Sequence, residues 1–451
     1  MVWRLVQLSD IHFGQEREGT YVVHDDVRRE LLSDAAKLAE VRGPANLIII
    51  VGDTAFAGKE AEYKRAGEWL DQLTKAVRCG ETDVRIVPGN HDCHRSQLTR
   101  VALGIHHMIR EGTPKSAYAD LEDMAKGAEE ANPLLPKLKA YRDFAAGYDS
   151  DFASAASPIW TKDLPLGSGI SLKLVGMNSV QISDADDRPG NMILGNTQYI
   201  LPDEPHLVYA VIMHHPLDWY MDKAEAKQYL HNRARVIMVG HEHIPDIHKT
   251  QDLLKNEWLD IYSGATNPPE SGFLYRYAYN WLEVSLCEKA GSHLLAVNVF
   301  PRVWVPERVQ FDADTQRLQG PESAEVEIAC PNLKPRQEHA EGGATNSVTA
   351  TAAPRPDGGV LKVGGTMDTQ EQAAVAKLKF LFWRYLDWQQ RLKVLVQADA
   401  LPPSANQPVP QTMERLALEN ARRQGKLAAI WDAMMVYVPD AKRQANPFQN
   451  S

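Results

Sequence analysis

The sequence predicts an α/β fold over roughly the first 310 residues, and two observations support this. The first is a series of short apolar runs that end at small or polar residues: WRLVQL, NLIIIV, VRIV, SLKLVGM, LVYAVIM and ARVIMV. Runs of this length and apolarity are typical of strands buried on both faces of a sheet. The second is the helical periodicity of intervening segments, such as 25–41 and 59–77. Strands that alternate with helices indicate an α/β sheet architecture.

The length and composition of the chain limit the number of domains and the class of partner. The chain has 451 residues, of which 44% are hydrophobic. This is enough for two or three domains of roughly 150 residues each. The net charge of −10 argues against non-specific binding to long nucleic acid, which needs many Lys and Arg side chains. The net charge does not exclude a small phosphorylated substrate, because bound metal ions would dominate the electric field at the site.

Cysteine usage and hydropathy predict a cytoplasmic location. The four cysteines are scattered and form no CxxC pair, which argues against a disulfide framework or zinc knuckle and fits a reducing compartment. The N-terminal segment enters a strand at once, without the pattern of a signal peptide. No apolar run approaches the ~20 residues of a membrane helix.

Three segments depart from the α/β pattern. Residues 96–150 contain helical patterns and lie between two strand runs, so we expect an insertion that could cover the mouth of a site. Residues 311–366 form an extension and a flexible linker, because 335–366 is rich in Gly, Ala, Thr and Pro. Residues 367–439 have helical periodicity and predict a small bundle, with Gly425 as a break between helices.

Polar motifs follow the predicted strands. Their metal-binding candidates are Asp10 and His12 in SDIHFG, Asp53 in VGDTAFAG, Asn90 in PGNHDCH, His214 in MHHP, and His241 and His243 in VGHEHIPD. Residues two apart on an extended strand point to the same side. We therefore expect Asp10 and His12 to face one cation, and the same for the HxH pair if its backbone is extended.

The chemistry of these side chains predicts a metal centre. Carboxylate, amide and imidazole groups without thiolates suit Mn²⁺, Fe or Zn²⁺ better than they suit a structural zinc site. We take Mn²⁺ as the first assignment, with Fe or Zn²⁺ as alternatives. Seven ligands exceed what one metal needs, and they suit two ions that share a carboxylate, roughly 3.5–4 Å apart. Such a pair activates water at neutral pH and neutralises phosphate oxygens.

The ordered set of motifs DxH, GD, GNHD, H and GHxH resembles the calcineurin-like metallophosphoesterase superfamily over residues 1 to about 300. The resemblance implies a four-layer α/β/β/α sandwich with a dinuclear centre. It implies the following ligands: Asp10, His12 and His243 for the first metal, Asn90, His214 and His241 for the second, and Asp53 as the bridge between them.

The same resemblance assigns roles around the metals. His91 would contact the phosphate and protonate or stabilise the leaving oxygen, and Asp92 would orient His91. A structural alternative for Asp92 is a helix N-cap. His215 is left for substrate contact or packing.

These assignments predict a dinuclear phosphoesterase (a hydrolase) that acts on a phosphodiester, such as a cyclic nucleotide or a nucleic acid. A histidine in GNH suits protonation of an alkoxide leaving group, although monoesters remain open. An alternative is a nuclease acting on DNA or RNA ends, which needs a basic groove near the insertion. The candidates are Arg95, Arg100, Arg110 and Lys115. The alternative interpretation of these side chains is an ordinary solvated helix face.

The predicted C-terminal bundle contains four large aromatic residues in FLFWRYLDW, which indicate either a core of its own or a docking surface. Its sequence resembles bacterial effector-associated domains, which are small adaptor bundles that pair like with like. The resemblance implies a protein partner. It also implies an alternative function, that of an adaptor-recruited effector in a bacterial defence system, with a gated phosphoesterase.

Overall fold

A computed structural model describes residues 1–15, 21–126, 131–152, 158–268, 276–289, 291–334, 369–403, 405 and 409–449. The predicted linker 335–366 lies outside the described residues. Among the described helices, none is long and apolar enough to cross a membrane.

The strands of the described residues are, in chain order, β1 (Val2–Leu8), β2 (Leu47–Val51), β3 (Val84–Val87), β4 (Ile159–Gly167), β5 (Ile170–Met177), β6 (Leu207–Met213), β7 (Ala234–Val239), β8 (Asp246–Gln251), β9 (Glu257–Tyr262), β10 (Ala278–Lys289), β11 (Ser292–Val305), β12 (Gln310–Ala313) and β13 (Ala324–Ala329). The helices are α1 (Tyr21–Arg42), α2 (Glu60–Ala76), α3 (Arg100–Glu111), α4 (Pro114–Lys126), α5 (Lys139–Ala146), α6 (Asn196–Tyr199), α7 (Lys223–Arg233), α8 (Thr369–Tyr385), α9 (Trp388–Gln397), α10 (Gln411–Arg423) and α11 (Leu427–Met435). All six predicted apolar runs are strands, and both predicted helical segments lie in α1 and α2.

The strands form two sheets. The first has the order β12-β11-β10-β1-β2-β3, with β13 paired to β11. In it, β1, β2 and β3 are parallel, and the remaining pairs are antiparallel. The second has the order β4-β5-β6-β7-β9-β8, with a parallel centre and antiparallel edges. The domain therefore extends past the predicted boundary at 310, because β12 and β13 complete the first sheet.

Alternating strand residues divide the core into layers. Leu5 of β1 packs between the two sheets, in one cluster with Leu172 and Ile212 of the second sheet. Its neighbour Val6 points the other way, into the cluster that holds the α1 and α2 side chains. On the far side, Val211 of β6 packs in the cluster that contains the α7 side chains. The fold is the predicted four-layer α/β/β/α sandwich.

The insertion is anchored at both ends. On α3, Arg110 donates to Asp184 and Asp187 in the loop that follows β5, at 2.9 Å each, and His106 lies 2.7 Å from Asp184. At the other end, α5 packs against α2 and α8. The insertion therefore connects the second sheet to the C-terminal helices.

The C-terminal segment forms four helices, α8 to α11, and Gly425 separates α10 from α11 as predicted, with φ +69°. Of the two predicted alternatives for the aromatic residues, a core of the bundle's own and a docking surface, the structure shows the second. Phe380, Phe382 and Trp383 of α8 are buried in the same cluster as the side chains of α1 and α2. The aromatic residues instead dock the helices onto the sandwich, because this contact removes their rings from water.

Candidate metal centre

Five strands end at one place in the molecule. Asp10 and His12 follow β1, Asp53 follows β2 and Asn90 follows β3 in the first sheet, while His214 follows β6 and the HxH pair follows β7 in the second. The carboxyl ends of parallel strands form the usual ligand-binding edge of an α/β sheet. The sandwich places two such edges against each other.

The backbone at these residues is left-handed, not extended. The φ angles are +53° at Asp10, +51° at His12, +51° at Asp53, +69° at His241 and +57° at His243. The expectation that Asp10 and His12, and the HxH pair, share a face through an extended strand is therefore wrong, although the side chains do converge. Asp and His tolerate this conformation better than most residues, and such strain, of order 1–3 kcal/mol per residue, concentrates at functional sites.

One group of side chains contains Asp10, His12 and His243. The His243 Nε2 lies 3.1 Å from the Asp10 Oδ1, and the His12 Nε2 lies 3.9 Å from the same oxygen. Asp10 and His12 are buried, while the His243 side chain is 17% exposed. The group therefore opens towards solvent on the His243 side.

A second group contains Asn90, His214 and His241. The Asn90 Oδ1 lies 3.2 Å from the His214 Nε2 and 3.1 Å from the His241 Nδ1. The two ring nitrogens are 3.3 Å apart. Three donor atoms thus converge on one point.

Asp53 stands between the two groups. Its Oδ2 lies 3.1 Å from the His12 Nε2 and 3.4 Å from the His214 Nε2. Its Oδ1 accepts a 2.8 Å hydrogen bond from the backbone N–H of His91. One carboxylate oxygen is therefore shared by both groups, while the other holds the neighbouring turn.

This donor set fits divalent cations. Two ligands each about 2.1 Å from one metal lie roughly 3.0–3.4 Å apart in octahedral or tetrahedral geometry. The spacings above lie in this range, except for the 3.9 Å between the His12 Nε2 and the Asp10 Oδ1. The His214 Nδ1–H donates to the Val51 carbonyl at 2.8 Å. The His12 Nδ1–H donates to Gln15 Oε1 at 3.0 Å. Both rings therefore turn Nε2 inward, as metal-binding histidines do when their other ring nitrogen is hydrogen-bonded.

The electrostatics of the cluster also favour a cation. Burial alone would raise the pKa of Asp10, but the hydrogen bond and charge of His243 outweigh it and lower that pKa to about 2. Burial disfavours charged His214, yet the Asp53 and Asp10 carboxylates raise its pKa to about 9. Burial would also raise the pKa of Asp53, but the charges of His214 and His91 lower it well below its ordinary value. Both carboxylates therefore stay ionised, and the cluster attracts positive charge.

His91 lies beside this cluster. Its Nδ1–H donates to the Phe56 carbonyl at 2.8 Å, and its ring stacks on Phe56 with centroids 5.1 Å apart. On its other side, the His12 ring is 4.8 Å away. Because Nδ1 is occupied, Nε2 is the nitrogen left to meet a substrate.

The expectation that Asp92 orients the His91 ring directly is wrong. The Asp92 carboxylate accepts instead from the backbone N–H groups of Ala55 and Gly89, both at 2.9 Å, and from the Tyr63 hydroxyl at 2.8 Å. Burial, together with the nearby Asp53 charge, raises the pKa of Asp92 to about 6. Asp92 thus fixes the two loops that carry Asp53 and His91.

Two glycines of the motifs are required because neighbouring side chains or backbone approach them closely. Gly52 has φ +85°, and a Cβ there would overlap the His214 ring. A Cβ on Gly89 would overlap the carboxylate and backbone nitrogen of Asp53. Gly52 therefore lets the two sheets approach each other at the cluster, and Gly89 lets the loops after β2 and β3 approach each other.

The sequence did not reveal two residues that lie beside the cluster, Gln15 and Trp219. Gln15 fixes the His12 tautomer, and the half-buried Trp219 meets the His241 ring edge-to-face, with centroids 4.2 Å apart. His215, left open between substrate contact and packing, is fully buried and packs behind His241, with centroids 4.4 Å apart. Gln15 lies three residues from His12, but Gln at that spacing is too common to serve as a signal.

The predicted basic groove is incomplete. Arg110 is held in ion pairs with Asp184 and Asp187, so its guanidinium anchors the insertion. The other candidates are exposed: Arg95, Arg100 and Lys115.

Residues 4–245 match the family model of the calcineurin-like phosphoesterases. The match spans more than half of the 451 residues. The chain belongs to the calcineurin-like phosphoesterase family. The family uses divalent metals, in agreement with the His and Asp groups at the strand ends. Residues 374–435 match a second model, the GTPase-associated adaptor domain, which supports the resemblance of α8 to α11 to adaptor bundles.

A relative in Bacillus subtilis (strain 168) is the uncharacterized metallophosphoesterase-like protein YydB, 23% identical over 274 residues. The match covers 58% of this chain and 53% of YydB, so the chain spans about half the length of this curated relative.

The comparison with solved structures also found distant matches. Purple acid phosphatase PPD1 from yellow lupin seeds is 10% identical, with a TM-score of 0.38, over 76% of this chain and 57% of its own. The 5'-nucleotidase precursor of Thermus thermophilus is 10% identical, with a TM-score of 0.30, over 74% of this chain and 56% of its own. TM-scores this low carry no argument about function.

Proposed function

We propose that this chain is a metal-dependent phosphoesterase with a dinuclear centre, and that it hydrolyses a phosphodiester. The observation that carries the proposal is the position of the Asp53 Oδ2, 3.1 Å and 3.4 Å from histidine nitrogens of two separate ligand groups. In this proposal Asp10, His12 and His243 hold one ion, Asn90, His214 and His241 hold the other, and Asp53 bridges them. Two bound divalent ions, Mn²⁺ first and Fe or Zn²⁺ as alternatives, would supply an activated water and neutralise phosphate charge.

His91 supplies the proton in this proposal. With Nδ1–H fixed on the Phe56 carbonyl, a protonated ring presents Nε2–H to the leaving oxygen. A ring nitrogen of His91 lies within 4.8 Å of ligand atoms of His12 and Asp53, so a phosphate held by the centre would be within its reach. Proton donation matters most for a poor leaving group, which supports an alkyl ester as the substrate.

The test is turnover of the purified chain with Mn²⁺ on bis-p-nitrophenyl phosphate and p-nitrophenyl phosphate, side by side. Faster cleavage of the diester, abolished in Asp53→Asn, is the expected result, and it would justify a screen of cyclic nucleotides and nucleic acids. Cleavage of the monoester alone would overturn the diester assignment. No cleavage of either, with two metals bound, would contradict an enzyme that is active without a partner.

A second candidate role belongs to the C-terminal helices, because residues 374–435 match an adaptor family. We propose that these helices bind a partner protein and that the chain is an adaptor-recruited effector of a bacterial defence system, with the phosphoesterase gated by that partner. The family name directs the search towards GTPase-associated systems. A partner that binds the full chain and changes its turnover is the expected result.

Fewer basic residues than predicted support the nuclease alternative. Arg95, Arg100 and Lys115 are exposed on the insertion, but Arg110 is not available. Strand cleavage with an affinity that falls steeply with salt, and that weakens when these three are changed to Ala, would support it.

A further inference from the structure

A row of buried aromatic rings runs from the C-terminal helices towards the metal centre. Phe380 of α8 meets Tyr148 with centroids 5.6 Å apart, Tyr148 meets Phe144 of α5 at 5.2 Å, and Phe144 meets Tyr63 of α2 at 5.1 Å. All four residues are buried. These distances lie within the range of interacting aromatic pairs, so each ring limits the position of the next.

The row ends on Asp92. The Tyr63 hydroxyl donates to the Asp92 Oδ1 at 2.8 Å, and the same oxygen accepts from the Ala55 N–H at 2.9 Å. The Asp92 Oδ2 accepts from the Gly89 N–H at 2.9 Å. Through Asp92, Tyr63 therefore holds both the loop after Asp53 and the turn before His91.

Helix α2 makes a second set of hydrogen bonds with the same loop. The Glu62 Oε2, next to Tyr63, accepts from the backbone N–H groups of Ala57 at 2.9 Å and Lys59 at 3.1 Å. On α8, the guanidinium of Arg384 lies against Gly67 of α2 and donates to the Lys64 carbonyl at 3.4 Å. Thus α2 contacts the loop of the metal centre at one end and the C-terminal helices along its length.

We propose that Tyr63 is a positioning residue for the metal centre, and that the adaptor helices set its position through the Phe380–Tyr148–Phe144 row. A close-packed interior transmits small displacements, because there is no free space to absorb them. A partner that shifts α8 would then move Asp92, and with it the loops that carry Asp53 and His91, without contacting either loop. The inference rests on the proposed function for its turnover readout only.

Spatial proximity alone does not establish such a path, so the test is a double-mutant cycle in the full chain. The variants are Tyr63→Phe, Phe380→Leu and the two combined. The matched control is Phe382→Leu, because Phe382 is equally buried on the same helix but its ring pairs with Trp383, outside the row. Phe144→Leu, in the middle of the row, replaces Phe380→Leu if the latter does not fold.

Three quantities are measured: hydrogen exchange of segment 53–59, Mn²⁺ affinity by calorimetry, and kcat and KM. We expect Tyr63→Phe to weaken exchange protection of the segment and to lower kcat roughly tenfold with little change in KM, since one hydrogen bond to a buried carboxylate is lost. Phe380→Leu should produce a smaller change of the same kind, and the double variant should be no worse than Tyr63→Phe.

Two results would overturn the inference. One is additivity, in which the loss in the double variant equals the product of the single losses. The other is a Phe382→Leu control that changes segment 53–59 as much as Phe380→Leu does, since this would show general loss of stability. If the wild-type chain cleaves no phosphoester, the proposed function fails, while exchange and metal affinity still decide the coupling.

Discussion

At the scale of single residues, Asp53 makes different contacts with its two carboxylate oxygens. Oδ2 faces the His12 and His214 nitrogens of both ligand groups, and Oδ1 accepts from the His91 backbone. The bridging assignment therefore links the two metals to the position of the proposed acid. A substitution at Asp53 is expected to disturb all three together.

Replacing Asp53 by Asn should remove at least one metal and lower turnover more than about 100-fold, which exceeds the usual effect of losing a group that only supports a metal ligand. Metal content by mass spectrometry and hydrolysis of the diester measure the two effects. Asp260→Asn is the matched control, because Asp260 is a partly buried carboxylate of β9 that bonds the Trp258 indole. Wild-type content of both metals in Asp53→Asn would refute the bridge.

His91→Ala should keep both metals and lower kcat by roughly 10²–10⁴, the range for loss of a general acid. The loss should be larger for a cyclic nucleotide, with its alkoxide leaving group, than for bis-p-nitrophenyl phosphate, whose leaving group needs little protonation. Parallel assays of both substrates on wild type and variant measure the difference. Equal losses on both would show that His91 binds phosphate and does not donate the proton.

The sequence predicted which side chains meet at the centre but not how the backbone places them. The side chains of DxH and GHxH converge as expected, but not through an extended backbone, because Asp10 and His243 have left-handed φ angles. The family resemblance assigned Asp92 to His91, whereas its partner Tyr63 lies 29 residues away. Contacts between distant segments depend on how elements pack, and no local pattern encodes them.

At the scale of elements, the insertion helix α3 shows how one face of a helix is committed to structure. Arg110 is 11% exposed and pairs with Asp184 and Asp187, while Arg100 at the start of the same helix is exposed. Two arginines that look alike in the sequence therefore differ in what they contribute.

Arg110→Ala should lower the free energy of unfolding by roughly 3 kcal/mol, because it leaves the buried Asp184 and the partly buried Asp187 without the Arg110 cation. Arg100→Ala should change it by less than about 0.5 kcal/mol, as for an ordinary surface site. Urea unfolding of the full chain measures both. Equal effects of the two substitutions would contradict an anchoring role for Arg110.

Element prediction succeeded where both faces of a strand are buried and failed where one face is not. The strands β2 and β6 are continuous apolar runs, and β1 and β7 are mostly apolar, which is the pattern of a covered parallel sheet. In contrast, β8 reads DIHKTQ and has no fully buried residue. Such an edge strand forms because β9 offers backbone partners beside it, and composition does not show this.

At the scale of the whole molecule, the C-terminal helices and the sandwich meet through complementary charge as well as a shared apolar core. Lysines and an arginine of the C-terminal segment pair with carboxylates of the sandwich and insertion: Lys377 and Lys442 with Glu81, Lys379 with Asp149, and Arg415 with Asp151. In each of these pairs the cation is on the C-terminal side. The docked arrangement is therefore specified by charge and supported by burial.

A chain truncated after residue 334 should be less stable and prone to aggregation, because its surface at α2 and α5 would lose the rings of Phe380, Phe382 and Trp383. The full chain should unfold in one cooperative transition, since one apolar cluster crosses the boundary. Calorimetry and light scattering of both chains measure this. A truncated chain as stable and monodisperse as the full chain would show that the docked contact contributes little.

The charge pairs give the interface a defined pH dependence. Burial would raise the pKa of Glu81, but hydrogen bonds from Lys377 and Lys442 lower it below the ordinary 4.5. A carboxylate with a lowered pKa stabilises the folded state above its unfolded pKa, and this contribution is lost as pH falls through the folded value.

The contribution of Glu81 to stability should therefore be constant from pH 7 to about 5 and decrease below about 4.5, so the acid-induced loss should be smaller in Glu81→Gln than in wild type. Glu60→Gln, at the exposed start of α2, is the control and should keep the wild-type dependence. Urea unfolding at each pH measures the difference between variants. An acid-induced loss of the same size in Glu81→Gln and wild type would show that other carboxylates control the interface, with Asp149 next to Lys379 as the first to examine.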